Sequence, residues 1–130
     1  PLSSQKSTMM KFMRAMAELL RRGETILIYP EQGMWWNYRK PRPMQDGAFS
    51  LAVRNNAPVV PIFITMEDST TLDGDGFFVQ EYTVHVLDAI YPDRSLPFAQ
   101  AKKKMMEENY ALWVKTYEDF YKKPLVYSEV

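Results

Sequence analysis

The run LLRRGETILIYPEQG, from Leu19 to Gly33, decides the fold. Its first residues close a helix. Upstream, Met9, Phe12, Met13, Met16, Leu19 and Leu20 recur at helical spacing, and Lys11, Arg14, Glu18 and Arg21 fill the other side. That pattern predicts an amphipathic helix over 7–22, with Ser4, Ser7 or Thr8 available as its N-cap. Arg21 and Arg22 suit the negative end of the helix dipole, and Gly23 suits the left-handed position beyond it. Thr25-Ile26-Leu27-Ile28-Tyr29 follows as a continuous apolar run that Pro30 stops. Such a run directly after a helix predicts a central strand covered on both faces.

From Glu31 to Met44 periodicity is lost among Gly33, Pro41 and Pro43, which marks a loop. Asp46 is placed to cap a second helix over 47–55, with Phe49, Leu51, Ala52 and Val53 turned inward. Residues 57–65 read as a buried strand. Pro58 and Pro61 lack amide donors, so its ladder is expected to begin properly only around Pro61. Asp73-Gly74-Asp75-Gly76 signals a turn, and 77–90 alternates as a half-exposed strand. Pro92 and Pro97 bracket a loop before a long helix over 98–121, with Ala101, Met105, Leu112, Trp113, Tyr117 and Phe120 near one side. The expected class is α/β, a mixed sheet with flanking helices, forming part of a larger domain.

Composition narrows what the chain does. With 130 residues, 46% of them hydrophobic, it suits one compact unit. The absence of cysteine excludes disulfides and thiolate-held metals. Sixteen basic residues balance sixteen acidic ones, so no global field favours nucleic acid. Neither a signal peptide nor an apolar run long enough to span a bilayer is present in these residues. Asp73 and Asp75 lack the ligand spacing of a calcium loop, and no other metal or resident cofactor is expected.

The chemistry concentrates in YPEQGMWWNYRKPR, Tyr29 to Arg42. Loops at the carboxyl ends of strands are where open α/β sheets place ligands. Glu31 stands at that end, and Gly33 lets the backbone turn or approach a ligand closely. Arg39, Lys40 and Arg42 gather positive charge, and guanidinium groups grip phosphate oxygens in a fork. Trp35 and Trp36 offer amphipathic aromatic surface suited to an acyl chain or a bilayer interface. Plainer roles stay open: an ion pair for Glu31, a solvated face for the basic residues, core packing for the tryptophans.

Tyr29-Pro30-Glu31 with Gly33 and later basic residues resembles the Phe-Pro-Glu-Gly-Thr-Arg block of the lysophosphatidate and glycerol-phosphate acyltransferases. Leu19-Leu20-Arg21-Arg22-Gly23-Glu24, Gln45-Asp46-Gly47-Ala48-Phe49-Ser50-Leu51-Ala52 and Ala57-Pro58-Val59-Val60-Pro61 resemble that family's neighbouring blocks in the same order. The resemblance covers about Pro1 to Thr65. It implies a glycerol-3-phosphate acyltransferase-like partial domain, with 1–130 its C-terminal part. It further implies transfer of a fatty acyl group from acyl-CoA or acyl carrier protein to a lysophospholipid at the cytoplasmic face of a membrane, with this stretch itself soluble. Glu31, Gly33, Arg39, Arg42, Trp35 and Trp36 would then bind the acceptor.

Two departures stand out. Gln32 occupies the place of the family's glycine, and Gly33-Met34 replace Thr-Arg, so Arg39 or Arg42 takes over the phosphate. The family's base belongs to a His-x-x-x-x-Asp block upstream of the others. Here the only histidine, His85, lies downstream with Asp88 three residues on. His85 therefore reads as a structural residue, no catalytic residue is assigned, and the catalytic block is expected before Pro1. The alternative is a non-catalytic lipid- or protein-binding module derived from the same fold.

Overall fold

The computed structural model describes residues 2–31 and 39–127. Five elements follow one another: α1 (Leu2–Arg21), α2 (Gly47–Arg54), β1 (Ile62–Leu72), β2 (Phe78–Val86) and α3 (Phe98–Tyr121). Helix α1 begins earlier than the apolar period suggests, ahead of all three candidate caps. Its far end behaves as expected. Gly23 has φ +81°, the Gly23 amide donates to Leu20 O at 3.0 Å, and the Glu24 amide donates to Leu19 O at 3.0 Å. This is the Schellman closure, which satisfies the last carbonyls of the helix.

The segment 25–29 corrects the expected architecture. It forms no strand, and Leu27 and Tyr29 are 69% and 72% exposed. Apolar β-branched sequence supplies strand propensity, but a strand needs a neighbour to take its amides and carbonyls. Among the described residues β1 pairs only with β2, so the sheet is a two-stranded antiparallel hairpin.

The hairpin follows its local chemistry. At the turn, Asp73 Oδ1 accepts from the amides of Asp75 at 2.9 Å and Phe77 at 3.0 Å, and Gly76 takes φ +85°. An Asx-type turn of this kind reverses the chain and sets the register. The strands pair Ile62 with Val86, Ile64 with Val84 and Met66 with Tyr82, down to an irregularity between Asp68 and Leu72. Upstream of β1 the pairing thins to a Val59–Ile90 bridge and a single bond from the Leu87 amide to Pro61 O at 2.9 Å. Pro58 and Pro61 account for that, as they have no amide to donate.

Alternation along β1 separates two faces. Phe63 and Thr65 are buried, whereas Ile62, Ile64, Tyr82, Val84 and Val86 form an exposed apolar face opposite. Helix α3 covers the inner face, packing Trp113 and Tyr117 against Phe63, with Leu87 and Leu125 at the margin. The Tyr121 hydroxyl bonds both main-chain groups of Met66, accepting from its amide at 2.9 Å and donating to its carbonyl at 3.2 Å. A second cluster joins Phe49 and Ala52 of α2, Ile90, and Met105 of α3. Asp46 does not cap α2 with its side chain. Its carboxylate takes Lys102 Nζ of α3 at 2.9 Å, pinning the two helices at their edge instead. The methionines divide: Met105 is buried, while Met9 and Met10 of α1 are exposed.

Helix α3 ends on Lys122 at φ 57°, ψ 38°, a left-handed conformation that a side chain with a Cβ resists. Lys122→Gly is expected to stabilise the chain by about 1 kcal/mol, read from its urea midpoint. Lys122→Ala, which keeps the Cβ, should show no such gain.

Candidate functional site

The segment that ends at Glu31 and the loop 39–45 are tied together twice. The Gln45 amide donates to Pro30 O at 2.7 Å, and the Arg42 amide donates to Glu31 Oε2. Glu31 is half-buried. Desolvation pushes its pKa above the usual carboxylate value, and the Arg42 amide bond, followed by the Arg42 charge, opposes that rise. In this geometry the Glu31 carboxylate fixes the backbone that carries Arg42. An ionised oxygen accepting a main-chain amide makes a strong, directional tie of this sort.

The three basic residues do not form one cluster. Arg39 is about half exposed, and its guanidinium stands 4.0 Å from Asp68 of β1, which also accepts a hydrogen bond from Gln80. An exposed pair at that distance contributes little to stability. Arg42 is half-buried beside Glu31. Lys40, open in the sequence between that basic cluster and a solvated face, is only 6% exposed, and its ammonium donates to the carbonyl of Val126. Of the remaining expected site residues, Gly33, Trp35 and Trp36 lie outside the described residues.

Sequence reasoning missed the partners contributed by α3 and the segment after it. The Tyr127 hydroxyl donates to Pro41 O at 2.6 Å and shares a hydrogen bond with the Tyr110 hydroxyl. Beside them runs a mainly apolar groove of about 440 Å³ lined by Pro43, Met44, Met106, Tyr110, Ala111 and Tyr127 together with Glu107. Below it the amide of buried Asn109 donates to Met44 Sδ at 3.5 Å, a thioether standing in for an oxygen acceptor. Tyrosines 17 residues apart in sequence that meet by their hydroxyls leave no local signal.

His85 is where the sequence placed it, within a strand. Its Nε2 lies 2.7 Å from Thr65 Oγ1 across the hairpin, and its ring meets the edge of Phe120 at 5.8 Å. Thr65 is fully buried, so this bond satisfies a hydroxyl that water does not reach. Among the described residues no His, Asp and Glu side chains group closely enough to hold a metal ion, and no helix is long and apolar enough to cross a membrane.

A model of the family described as Acyltransferase matches residues 2–65. That span runs from α1 through the Glu31–Arg42 loop and α2 into the start of β1, and it takes in every expected site residue. Neither the curated proteins nor the solved structures yield a match.

Proposed function

We propose, with the acyltransferase-family match over residues 2–65 as the premise, that the chain is the C-terminal part of a single domain that acylates a lysophospholipid. The donor is acyl-CoA or acyl carrier protein, and the acceptor is 1-acyl-glycerol-3-phosphate, met at the cytoplasmic surface of a membrane. The base is a His-x-x-x-x-Asp block upstream of these residues. It takes the proton of the acceptor hydroxyl as that oxygen attacks the acyl carbonyl, and the thiol of the donor leaves.

One observation carries the reading: the family match contains the loop in which Glu31 holds the Arg42 backbone. Arg42, with Arg39 further out, presents the guanidinium chemistry that a phosphate monoester needs. The groove that begins at Pro43 and Met44, next in the chain, offers apolar surface. Charge followed by apolar surface is the pattern of an amphiphile's head and tail. Gly33, Trp35 and Trp36 are included in the proposed acceptor site on the sequence alone, the tryptophans for their amphipathic aromatic chemistry.

A second reading, a lipid- or protein-binding module without catalysis, draws on the state of His85. The only histidine of the chain is engaged by Thr65 and Phe120. The two readings part in one assay. Free CoA is measured from the full-length gene product given lysophosphatidate and an acyl-CoA, with the 130-residue chain run alongside. Release by the full-length protein alone is expected. No release across several acceptors would favour the module, and release by the chain alone would overturn the upstream base.

A further inference from the structure

The three residues Leu125, Val126 and Tyr127 make an unusual number of directed contacts for a segment that follows α3. The left-handed turn at Lys122 sends the chain back along that helix. The Leu125 amide donates to Glu118 Oε2 at 2.9 Å, and the Leu125 side chain packs on the Phe63–Trp113–Tyr117 cluster. Val126 receives the buried ammonium of Lys40, and Tyr127 reaches Pro41. Both long-range bonds span 86 positions of sequence. Segments without secondary structure usually fray unless they are tied down. This one is tied to α3 on one side and to the basic loop on the other.

The hydrogen bonds have a fixed direction. A carbonyl only accepts, so the single Tyr127 proton goes to Pro41 O, and Tyr110 must be the donor in the Tyr110–Tyr127 contact. The chain α3–Tyr110–Tyr127–Pro41 thus runs from a rigid helix to the residue before Arg42. Pro41 is fully buried, and its carbonyl shares one planar peptide with the Arg42 amide, so a shift at that carbonyl moves the Arg42 N–H with it. Lys40 adds weight. Burying an ammonium is costly unless a partner receives it, and here a carbonyl of the 125–127 segment does so. Arg42 is therefore held from two sides, by Glu31 at its amide and by this segment through the two residues that precede it.

We propose that Leu125–Tyr127 form a clasp whose contacts with Lys40 and Pro41 position Arg42 for the phosphate monoester of the acceptor. This role rests on the acceptor-site reading above. It gives residues outside the family match a part in the site. Tyr127 and Lys40 are positioning residues here, because they act through the loop backbone.

The test uses two readouts that need no turnover. Amide hydrogen exchange is followed in the chain and in Tyr127→Phe, which keeps the ring and removes the bond to Pro41. The Arg42 amide is expected to exchange about tenfold faster, with the amides of Met105 and Trp113 in α3 unchanged. Glycerol 3-phosphate is then titrated while the Arg42 amide is watched by NMR, and its Kd is expected to rise about tenfold in Tyr127→Phe. Lys40→Met, which frees Val126 by a different route, should loosen Arg42 as well. Unchanged Arg42 exchange in both variants would overturn the clasp, as would exchange that rises with no change in Kd. If glycerol 3-phosphate does not bind the unaltered chain, the phosphate role falls. If binding and its loss are seen while the full-length protein releases no CoA, the clasp stands and the enzymatic reading fails.

Discussion

Glu31→Ala is expected to lower the proposed acyl transfer by the full-length protein about 100-fold, the scale expected when a group that aligns the reactants is lost. The effect should fall on the KM for the acceptor at least as much as on kcat, because Glu31 works through the Arg42 backbone. The fold should survive. Removing the carboxylate strands the Arg42 amide, which costs about 1 kcal/mol, but it also removes a half-buried charge. Glu31→Gln offers the conservative comparison, since its amide oxygen still accepts from Arg42. Recovery of most activity in Glu31→Gln identifies the main-chain tie as the function of the residue. Full activity in Glu31→Ala would sink the site assignment.

The same pair of variants gives a pH signature. The folded pKa of Glu31 lies above its ordinary value of 4.5, chiefly through desolvation. The protonated form is therefore the one the fold favours. Its contribution is fully present below pH 4.5 and is lost as pH rises through the folded value. Gln is neutral throughout, so Glu31→Gln should lack that decline. Its stability relative to the parent should grow across the window and then level off. A difference that stays flat with pH would mean that Glu31 is not desolvated as described.

Phe49→Ala is expected to cost about 3–5 kcal/mol, the usual toll of removing a buried aromatic ring. Phe49 is 1% exposed and sits between Ala52, Ile90 and Met105, so the void has no flexible neighbour on its own helix to fill it. For a domain of this size that is a large share of the total stability. The damage should reach the site, since α2 follows directly on the loop 39–45 and docks it against α3. Phe49→Leu, which keeps most of the volume, should cost less than about 1.5 kcal/mol. Urea midpoints decide it, and a loss under about 1 kcal/mol for the alanine variant would mean that α2 is only loosely docked.

Elements whose cause is local were legible in the sequence. The long apolar period and the flanking Pro97 set α3, and it runs over Phe98–Tyr121 as read. The Asp-Gly-Asp-Gly turn and the thinning of the ladder at the two prolines before Ile62 agree with the sequence reading. The first strand, expected over 57–65, instead runs over Ile62–Leu72, and its pairing with β2 as a hairpin is not read from the sequence. The sequence sets His85 aside for its place downstream of the other blocks and its spacing to Asp88; the strand setting read for it is observed, with a bond to Thr65. Where a partner far away decides, the reading failed. Thr25–Tyr29 has strand chemistry but no strand beside it among the described residues. Asp46 has capping chemistry, yet Lys102 offers its carboxylate a charged partner. Lys40 stays open between a basic cluster and a solvated face because nothing near it in sequence announces the carbonyl of Val126.

The distance between Lys40 and Val126 also sets an order of events in folding. Closing a contact across 86 residues is expected to come after the hairpin and the helices form, whose own contacts are local and need little loop closure. During synthesis at about 5–20 residues per second, the loop precedes its partners by about 4–17 s. Throughout that interval α2 and the hairpin can assemble while the Arg42 backbone has its tie to Glu31 but not yet the bonds from Val126 and Tyr127. A ribosome that stops a few codons short of Tyr127 would release a chain with its Phe49 core, a Phe63–Trp113–Tyr117 cluster short of Leu125, and a slack 39–45 loop. If Arg42 grips phosphate as proposed, that competence is acquired later than the fold that carries it.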